Sequence, residues 1–281
     1  MIKRIDIHPL TWFVFGIAII TGFFRDLVLL FSIIFIHELG HYSMARFFNW
    51  RVRKIVLLPF GGVAEVDEHG NRPFKEEFLV VIFGPFQHIL LIALGFVLAH
   101  SGLWTPAFFE KFLAFNMMIL IFNLLPIWPL DGGKLLFLAF AYFQPFKRAH
   151  HSQLLFSSIF LFLFVCITIT MYNFNLNLLI ILMFLAFSIY TEWRHHYYVF
   201  LRFLLERYEA NKGKGGRQKP IHAKPSHVLE QVLKRFQKGV HHNILVRADD
   251  KLMTTDERKF LDAYFAKKKY RTTISELFRL K

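Results

Sequence analysis

The sequence is poor in cysteine and in acidic residues. Only one of its 281 residues is a cysteine, Cys166, and it lies inside an apolar run, which excludes a disulfide framework within the chain. Asp and Glu together number 20 against 34 Lys and Arg. In contrast, 55% of the residues are hydrophobic and 36 are Phe, well above the apolar share of an ordinary soluble domain. The composition therefore indicates a membrane protein.

Six stretches are long and apolar enough for membrane-spanning helices, which need about 20 residues each. None of them alternates polar and apolar residues as a strand would. The first follows a basic N-terminus, but no small-residue cleavage site comes after it, so we expect it to be a retained span rather than a signal peptide. The six predicted spans are roughly 8–24, 27–48, 78–99, 112–130, 152–172 and 176–193.

Positive charges in the connecting segments predict the orientation in the membrane. With the N-terminus inside, the inner segments hold twelve Lys and Arg, and the outer ones hold only Arg25 and Lys111. Both termini are therefore expected in the cytoplasm. Residues 197–281 carry 20 Lys and Arg against 9 Asp and Glu, so +11 of the formal net charge of +14 lies there. Such a tail favours an anionic membrane face or an acidic ligand, although a solvated basic surface is the commoner explanation.

The segments between and after the spans predict further elements. Residues 51–74 are β-branched on both sides of a Pro-Phe-Gly-Gly turn, which is typical of a hairpin or re-entrant strand at the membrane surface. The Gly- and Lys-rich stretch 210–220 is expected to be a linker. We predict a membrane domain at 1–196, a basic linker at 197–221 and a cytoplasmic α/β domain at 222–281.

The second predicted span contains HELGH at residues 37–41. On a helix His37 and His41 share one face, with Glu38 beside them, and this spacing lets two imidazoles bind one zinc ion while the carboxylate acts as general base. Ionisable groups in a spanning helix are costly and usually line a functional cavity. Histidines that only pack between helices are the competing explanation.

Catalytic zinc usually has three protein ligands, so one more is needed at membrane depth. Asp131 is the best candidate, because it closes the fourth predicted span in NLLPIWPLDGG, after two prolines that interrupt the helix and before two glycines that let the chain turn. Irregular backbone inside a membrane is tolerated mainly where it lines a polar cavity. A plain helix end with an Asp-Gly turn is the alternative.

HELGH at 37–41 followed by NLLPIWPLDGG at 123–133 resembles the site-2 protease family of intramembrane zinc metalloproteases. Six spans before a small cytoplasmic domain resemble the branch of this family that acts in bacterial sporulation. The resemblance implies His37, His41 and Asp131 as ligands of one zinc ion per chain and Glu38 as the general base. It also implies that Asn123 and Pro126 shape the site. The hairpin residues Pro59, Phe60, Gly61 and Gly62 would lie near the incoming substrate strand.

The same resemblance implies a membrane-associated sigma-factor precursor as substrate and membrane-bound inhibitory or regulatory proteins as partners. It places the chain in the membrane around the forespore, and no nucleic-acid partner is expected. The site is expected toward the cytoplasmic side. His88, after a Gly-Pro in the third span, could reach the site, but we expect it to pack or to bond a neighbouring carbonyl outside the metal shell.

The pattern from Ser226 to Lys269 predicts a helix at 226–239, a strand at 242–248, a turn and a second helix at 256–269. This order resembles a cystathionine-β-synthase (CBS) domain, but KLMTTDER replaces the small glycine-bearing strand expected after the turn. The resemblance implies ATP as a possible ligand of the tail and a homo-oligomer formed through it.

Two other functions compete with the protease. A divalent-cation transporter would also use His and Asp in spanning helices, but it needs no general base next to a ligand. An inactive scaffold would not need the intact motif. The expected fold class is thus an α-helical polytopic membrane protein of about six transmembrane helices with a small cytoplasmic α/β CBS-like domain.

Overall fold

The computed structural model describes residues 5–7, 11–12, 16, 19–58, 61–66, 72–171, 176–209, 217–248 and 251–278. Backbone contacts divide the chain into two compact units. Unit 1 comprises residues 1–68, 75–136 and 156–189, and unit 2 comprises residues 69–74, 137–155 and 190–281.

The described residues contain five helices long and apolar enough to cross a membrane. Eight of the 17 residues of the first predicted span, 8–24, lie outside the described residues. The other predicted spans each correspond to a helix. These five helices are α1 (Phe24–Phe47), α2 (Phe74–His100), α3 (Pro106–Asn123), α5 (Phe146–Met171) and α6 (Leu176–Glu209).

The fourth predicted span was placed too late in the chain. Helix α3 begins at Pro106, where the Thr105 hydroxyl accepts a hydrogen bond from the Phe108 N–H at 3.3 Å, an N-cap arrangement with proline in the first turn. It ends at Asn123, and residues 124–130 are irregular. Asp131 then begins a short helix, α4 (Asp131–Phe143), which the sequence did not predict. Asp131 therefore opens a helix instead of closing the span.

A three-stranded sheet lies in unit 1 and contains the predicted hairpin. Strand β1 (Ile5–Ile7) pairs in parallel with β2 (Val52–Leu58), which pairs antiparallel with β3 (Gly61–Val66). The strand order β1-β2-β3 gives β3 no second partner among the described strands. Helix α1 contacts both β2 and β3, so the helix that carries HELGH lies against the hairpin.

Unit 2 combines the end of α4, the start of α5 and the end of α6 with a second sheet. Its sheet has the order β4-β5-β6, with β4 (Arg217–Ala223) parallel to β5 (Val240–Ala248) and β6 (Lys251–Asp256) antiparallel to β5. The short helices are α7 (Leu229–Leu233), α8 (Glu257–Phe265) and α9 (Ile274–Phe278). One hydrophobic core joins residues of the long helices to the sheet and short helices, and its members include Phe146, Phe200, Phe203, Leu204, Leu229, Phe236, Ile244 and Phe260.

The predicted elements of the tail are partly correct. The strand at 242–248 lies within β5, and the second helix corresponds to α8, although α8 ends at Phe265. The helix predicted at 226–239 is wrong in length, because only five residues are helical before turns lead to Gly239 at φ 67°. KLMTTD forms β6. The structure shows a small α/β sheet unit and does not show a CBS domain.

The predicted basic linker is only partly free of regular structure. Residues 197–209 continue α6, and residues 217–221 belong to β4. Residues 210–216 between them lie outside the described part of the chain. The proposed three-part division of domains stays a prediction.

A buried ion pair connects the end of α6 to the start of α8 within unit 2. The Arg207 guanidinium donates to both carboxylate oxygens of Glu257, at 2.8 and 2.7 Å, and to the Gln237 carbonyl at 3.0 Å. Glu257 also accepts from the His242 backbone N–H at 2.7 Å. Because a buried charge is costly unless it is paired and hydrogen-bonded, this pair requires the sheet and the helix end to fold together.

His242 is a neutral part of the same core. Its Nε2 accepts a hydrogen bond from the Gln237 backbone N–H at 2.9 Å, and its Nδ1 donates to the Lys219 carbonyl at 3.1 Å. Burial, followed by the nearby Arg207 charge, lowers the pKa of His242 from 6.5 to about 4. Protonation of Nε2 would also break the bond with Gln237.

We therefore predict that unit 2 loses stability as the pH falls from 6.5 to about 4. In that range the unfolded state binds more protons at His242 than the folded state does, so the contribution is complete above 6.5 and lost toward about 4. Thermal unfolding of the full chain in detergent across this range measures the effect. His242→Gln should flatten the pH dependence, whereas His222→Gln, at an exposed position of β4, should keep the wild-type slope. Equal slopes for all three proteins would contradict the assignment.

Candidate metal centre

The HELGH segment lies on the buried face of α1. His37, Glu38 and His41 are 3%, 7% and 7% exposed, although they lie on a helix apolar enough to span a membrane. The two Nε2 atoms of the histidines are 3.1 Å apart. One oxygen of the Glu38 carboxylate lies within 4.8 Å of a ring nitrogen of each histidine. The i, i+4 spacing therefore brings the three polar groups together as the sequence predicts.

Asp131 completes the cluster from the first turn of α4. Its Oδ2 lies 3.1 Å from His37 Nε2 and 3.0 Å from His41 Nε2, and its side chain is 3% exposed. The start of a helix is a favourable place for a carboxylate, because the free backbone N–H groups and the helix dipole stabilise negative charge there. Three potential ligand atoms thus form a nearly equilateral triangle.

The triangle fits a metal ion. Ligand atoms bound tetrahedrally at about 2.0–2.1 Å lie about 3.3 Å from one another, close to the 3.0–3.1 Å seen here. In the neutral His41 ring, Nδ1 donates to the Val80 carbonyl at 2.8 Å, so Nε2 carries a lone pair. That lone pair faces the carboxylate oxygen of Asp131. Acceptors that converge in this way are stabilised by a shared cation.

Each candidate ligand also has a second polar atom, which contacts a partner outside the triangle. The Val80 carbonyl holds His41, and the Lys134 ammonium contacts Asp131 Oδ1 at 2.9 Å. His37 Nδ1 lies 3.1 Å from His88 Nε2. Such partners fix the orientation of metal ligands and tune their basicity.

His88 lies behind His37, outside the triangle. Its Nδ1 forms a hydrogen bond with Asn116 Oδ1, and Asn116 Nδ2 donates to the His88 carbonyl at 3.4 Å. His88 and Asn116 are both 0% exposed. His88 thus bonds the side-chain carbonyl oxygen of Asn116 and the ring of His37, and neither contact places it in the triangle.

Close packing of α1 and α2 depends on two glycines. A Cβ atom on Gly84 would overlap the His41 ring and would lie 2.9 Å from His37 Cε1. A Cβ on Gly40 would lie 2.6 Å from Gln87 Cγ and would overlap the Phe83 carbonyl. Small residues at such positions let membrane helices approach closely. Gly84 therefore acts as a wall of the site.

The segment before Asp131 packs against the first turn of α4. Ser157 on α5 accepts from the Trp128 N–H at 3.1 Å and contacts the Pro126 carbonyl at 3.5 Å. A Cβ on Gly133 would lie 2.6 Å from the Ile127 carbonyl oxygen. The two glycines thus stay in the helix and make room for the preceding segment; the prediction that they turn the chain is wrong.

The remaining predicted site residues lie apart from the triangle's contacts or outside the described residues. Asn123 donates to the Ile119 carbonyl at 3.1 Å, at the end of α3. Pro59 and Phe60 lie outside the described residues, and Gly61 and Gly62 begin β3.

Sequence reasoning missed Gly84, Asn116 and Lys134. Asn116 is a polar residue within an apolar run, a signal that usually marks a functional position in a membrane helix. Lys134 follows Asp131 by three residues, which is contact spacing only if both lie on one helix. Gly84 gave no signal beyond its Gly-Pro pair.

Comparisons with known proteins agree with this site. The family model for peptidase family M50 matches residues 26–106 and 98–167. Stage IV sporulation protein FB of Bacillus subtilis is 41% identical over 278 residues, which cover 99% of this chain and 96% of that protein. A zinc metalloprotease of Methanocaldococcus jannaschii is 35% identical over 39% of this chain and 32% of its own length. The solved site-2 protease of Methanocaldococcus jannaschii has a TM-score of 0.53 and 26% identity, and covers 68% of this chain and 92% of its own.

Apolar helices around a buried His-Glu-His-Asp cluster define an intramembrane zinc metalloprotease. The match to the family model, and the match to a relative over almost its whole length, show the family as well. The chain belongs to peptidase family M50, the site-2 proteases, and the resemblance drawn from its motifs is confirmed. The comparisons give the transporter alternative no support.

We predict that Gly84→Ala disrupts the site. The added methyl group would displace the His41 ring, and a shift of this kind should lower zinc affinity about 10–100-fold. Chelator competition on the purified protein measures the affinity. Gly95→Ala is the matched control, since Gly95 is also buried in α2 but a Cβ there would lie 2.8 Å from the Phe112 ring, away from the site. Wild-type zinc affinity in Gly84→Ala would show that the site tolerates the methyl group.

Proposed function

We propose that the chain cleaves a membrane-associated protein substrate, with His37, His41 and Asp131 holding one zinc ion and Glu38 serving as general base. The observation that carries this proposal is the buried triangle of His37 Nε2, His41 Nε2 and Asp131 Oδ2 at 3.0–3.1 Å, beside a carboxylate that is not part of it. A site that only stores a metal ion does not need that additional carboxylate.

The hydrolysis requires a nucleophile and a route for one proton. When bound, zinc lowers the pKa of water to about 7 and polarises the scissile carbonyl. Glu38 then accepts a proton as the water oxygen attacks the carbonyl carbon. It passes this proton to the amide nitrogen as the C–N bond breaks, which releases an amine and a carboxylic acid. Glu38 is suited to this role because it is buried beside the triangle without belonging to it.

The substrate must present an extended segment, because a helix shields its own peptide bonds by hydrogen bonding. We infer that the hairpin residues Pro59, Phe60, Gly61 and Gly62 receive this segment by strand addition. The pairing of β3 with β2 alone among the described strands, and the contact of α1 with the hairpin, support this inference. Asn123 and Pro126 would shape the wall of the site near Asp131.

A sigma-factor precursor is the proposed substrate, and the proposed location is the membrane around the forespore. Both come from the motif resemblance, and the 41% identity to a protein named for stage IV of sporulation supports a role in that process. Both termini would be cytoplasmic, and the fragment would be released on that side. Membrane-bound inhibitory proteins and a second copy of the chain, associated through the tail, are the proposed partners.

The tail is proposed to be a CBS-like regulatory module that binds ATP and tunes access to the site. The succession β4, α7, β5, β6 and α8 supports an α/β module of this kind. Its core includes residues of α5 and α6, so its ligand binding should be measured on the full chain.

We predict that Glu38→Gln keeps zinc and loses cleavage by at least about 100-fold, because the amide cannot accept the proton. Asp131→Ala should lose zinc as well as activity, because one ligand is removed. Metal analysis gives the zinc content, and cleavage of a membrane-tethered sigma-factor precursor gives the activity. A tethered protein of unrelated sequence tests the substrate class in the same assay.

Asp26→Ala is the matched control for Asp131→Ala. Asp26 also pairs with a lysine, at 2.8 Å from Lys111, but both side chains are partly exposed at 32% and 49%. This variant should keep zinc and activity. Full cleavage by Glu38→Gln would rule out Glu38 as the base, and full zinc in Asp131→Ala would rule out Asp131 as a ligand.

For the tail, we predict that ATP, ADP or AMP binds the full chain and changes its cleavage rate. Calorimetry on Glu38→Gln protein measures binding without turnover, and wild-type cleavage with and without nucleotide measures the effect. GTP serves as the comparison nucleotide. The absence of binding heat with all three adenine nucleotides would remove this part of the proposal.

A further inference from the structure

The contacts behind His37 form a continuous chain of side chains. Asn116 on α3 contacts His88 on α2, and His88 contacts His37 on α1. Three helices that are each apolar enough to span a membrane thus contribute one polar residue each. All three side chains are buried, with exposures of 0%, 0% and 3%. Buried polar groups of this kind are stabilised only when their donors and acceptors match.

The direction of the hydrogen bonds in this chain is determined at its far end. The backbone carbonyl of His88 can only accept, so the Asn116 amide must direct its NH₂ group there, at 3.4 Å. The amide oxygen then faces His88 Nδ1 and can only accept from it. His88 therefore carries its proton on Nδ1, and its Nε2 has a lone pair.

The same reasoning extends to His37. Because His88 Nε2 is an acceptor, the hydrogen bond of 3.1 Å requires a proton on His37 Nδ1. In the neutral ring, His37 Nε2 then has its lone pair free and directed at the triangle with His41 and Asp131. If every hydrogen bond in this chain ran in the opposite direction, the Asn116 amide oxygen would face the His88 backbone carbonyl, and two acceptors would face each other.

We propose that Asn116 and His88 act as positioning residues that fix the metal-binding tautomer and ring orientation of His37. His41 needs no such chain, because the Val80 carbonyl accepts from its Nδ1 directly. At His37 the neighbouring group is a second imidazole, which could donate or accept, and Asn116 removes this choice. The inference rests on the proposed zinc ligands and adds two residues that do not touch the metal.

The test separates a hydrogen-bond acceptor from a space-filling ring. His88→Phe keeps a ring but leaves the His37 Nδ1–H without an acceptor, so zinc affinity should fall about 10–100-fold. His88→Gln loses the ring but offers an amide oxygen near the position of Nε2, so affinity should stay within a few-fold of wild type. Asn116→Leu removes the group that orients His88 and should also weaken zinc binding.

Zinc dissociation constants are measured by chelator competition on purified full-length proteins, with thermal unfolding as the check that each variant is folded. Thr168→Val is the matched control, since Thr168 is a buried polar residue of α5 whose hydroxyl bonds the Val165 carbonyl at 2.8 Å. It should bind zinc like wild type. A packing role for His88 would instead make His88→Gln at least as harmful as His88→Phe.

The outcomes distinguish this inference from the proposed function. If the wild-type protein binds no zinc, both the proposed function and this inference are overturned. If the wild type binds zinc, and His88→Phe and Asn116→Leu bind zinc with the same affinity as the wild type, the positioning role is overturned and the metal site stays in place. Weak binding by both variants, with recovery in His88→Gln, is the expected result.

Discussion

The burial of a carboxylate and two imidazoles among apolar helices is the constraint on which the rest of the site depends. Polar groups removed from water must find partners within the protein, and a buried charge must be neutralised. In this chain one polar atom of each ligand faces the triangle, and the other is bonded outward, to Val80, His88 or Lys134. The outward bonds leave the inward atoms available to a metal ion.

This constraint also explains where the small residues lie. Partners from α1, α2 and α4 reach one point only if the backbones approach closely. Gly40 and Gly84 allow the approach of α1 and α2, and Gly132 and Gly133 allow the segment before Asp131 to fold back on its own helix. A glycine costs helix stability in a soluble protein. At these positions the loss of a Cβ is what makes room for the ligands.

The candidate ligands could be named from the sequence because their signals are local or chemically rare. The spacing in HELGH alone places the two histidines on one helix face with the glutamate beside them. Asp131 stands out as a carboxylate that follows two prolines at the end of an apolar run. The hairpin and five of the six spans correspond to described elements for the same reason. The outer partners were not predictable in this way. Asn116, Gly84 and the Val80 carbonyl act through contacts between helices, and hydrophobic periodicity does not give the register of one helix against another.

The failure to predict helix α4 has a related cause. The two prolines correctly indicated irregular backbone, but the sequence did not show on which side of Asp131 the helix lies. The glycines looked like a turn because their usual role is conformational. In the structure their role is steric, since the Leu124–Trp128 backbone occupies the space of the missing side chains. A steric requirement of this type becomes visible only when the neighbouring segment is known.

The packing of the ligands also bears on why the site suits a resident metal rather than a transported one. A transporter must let its ligands separate in each cycle so that the ion can leave. Here His41 is confined between Gly84 and the Val80 carbonyl, and Asp131 is held by Lys134. Moving either ligand away would leave a buried polar group unpaired, which costs about 1–3 kcal/mol or more for a charged group. The same contacts that satisfy the buried groups therefore favour a metal ion that stays in place while a substrate is bound, cleaved and released.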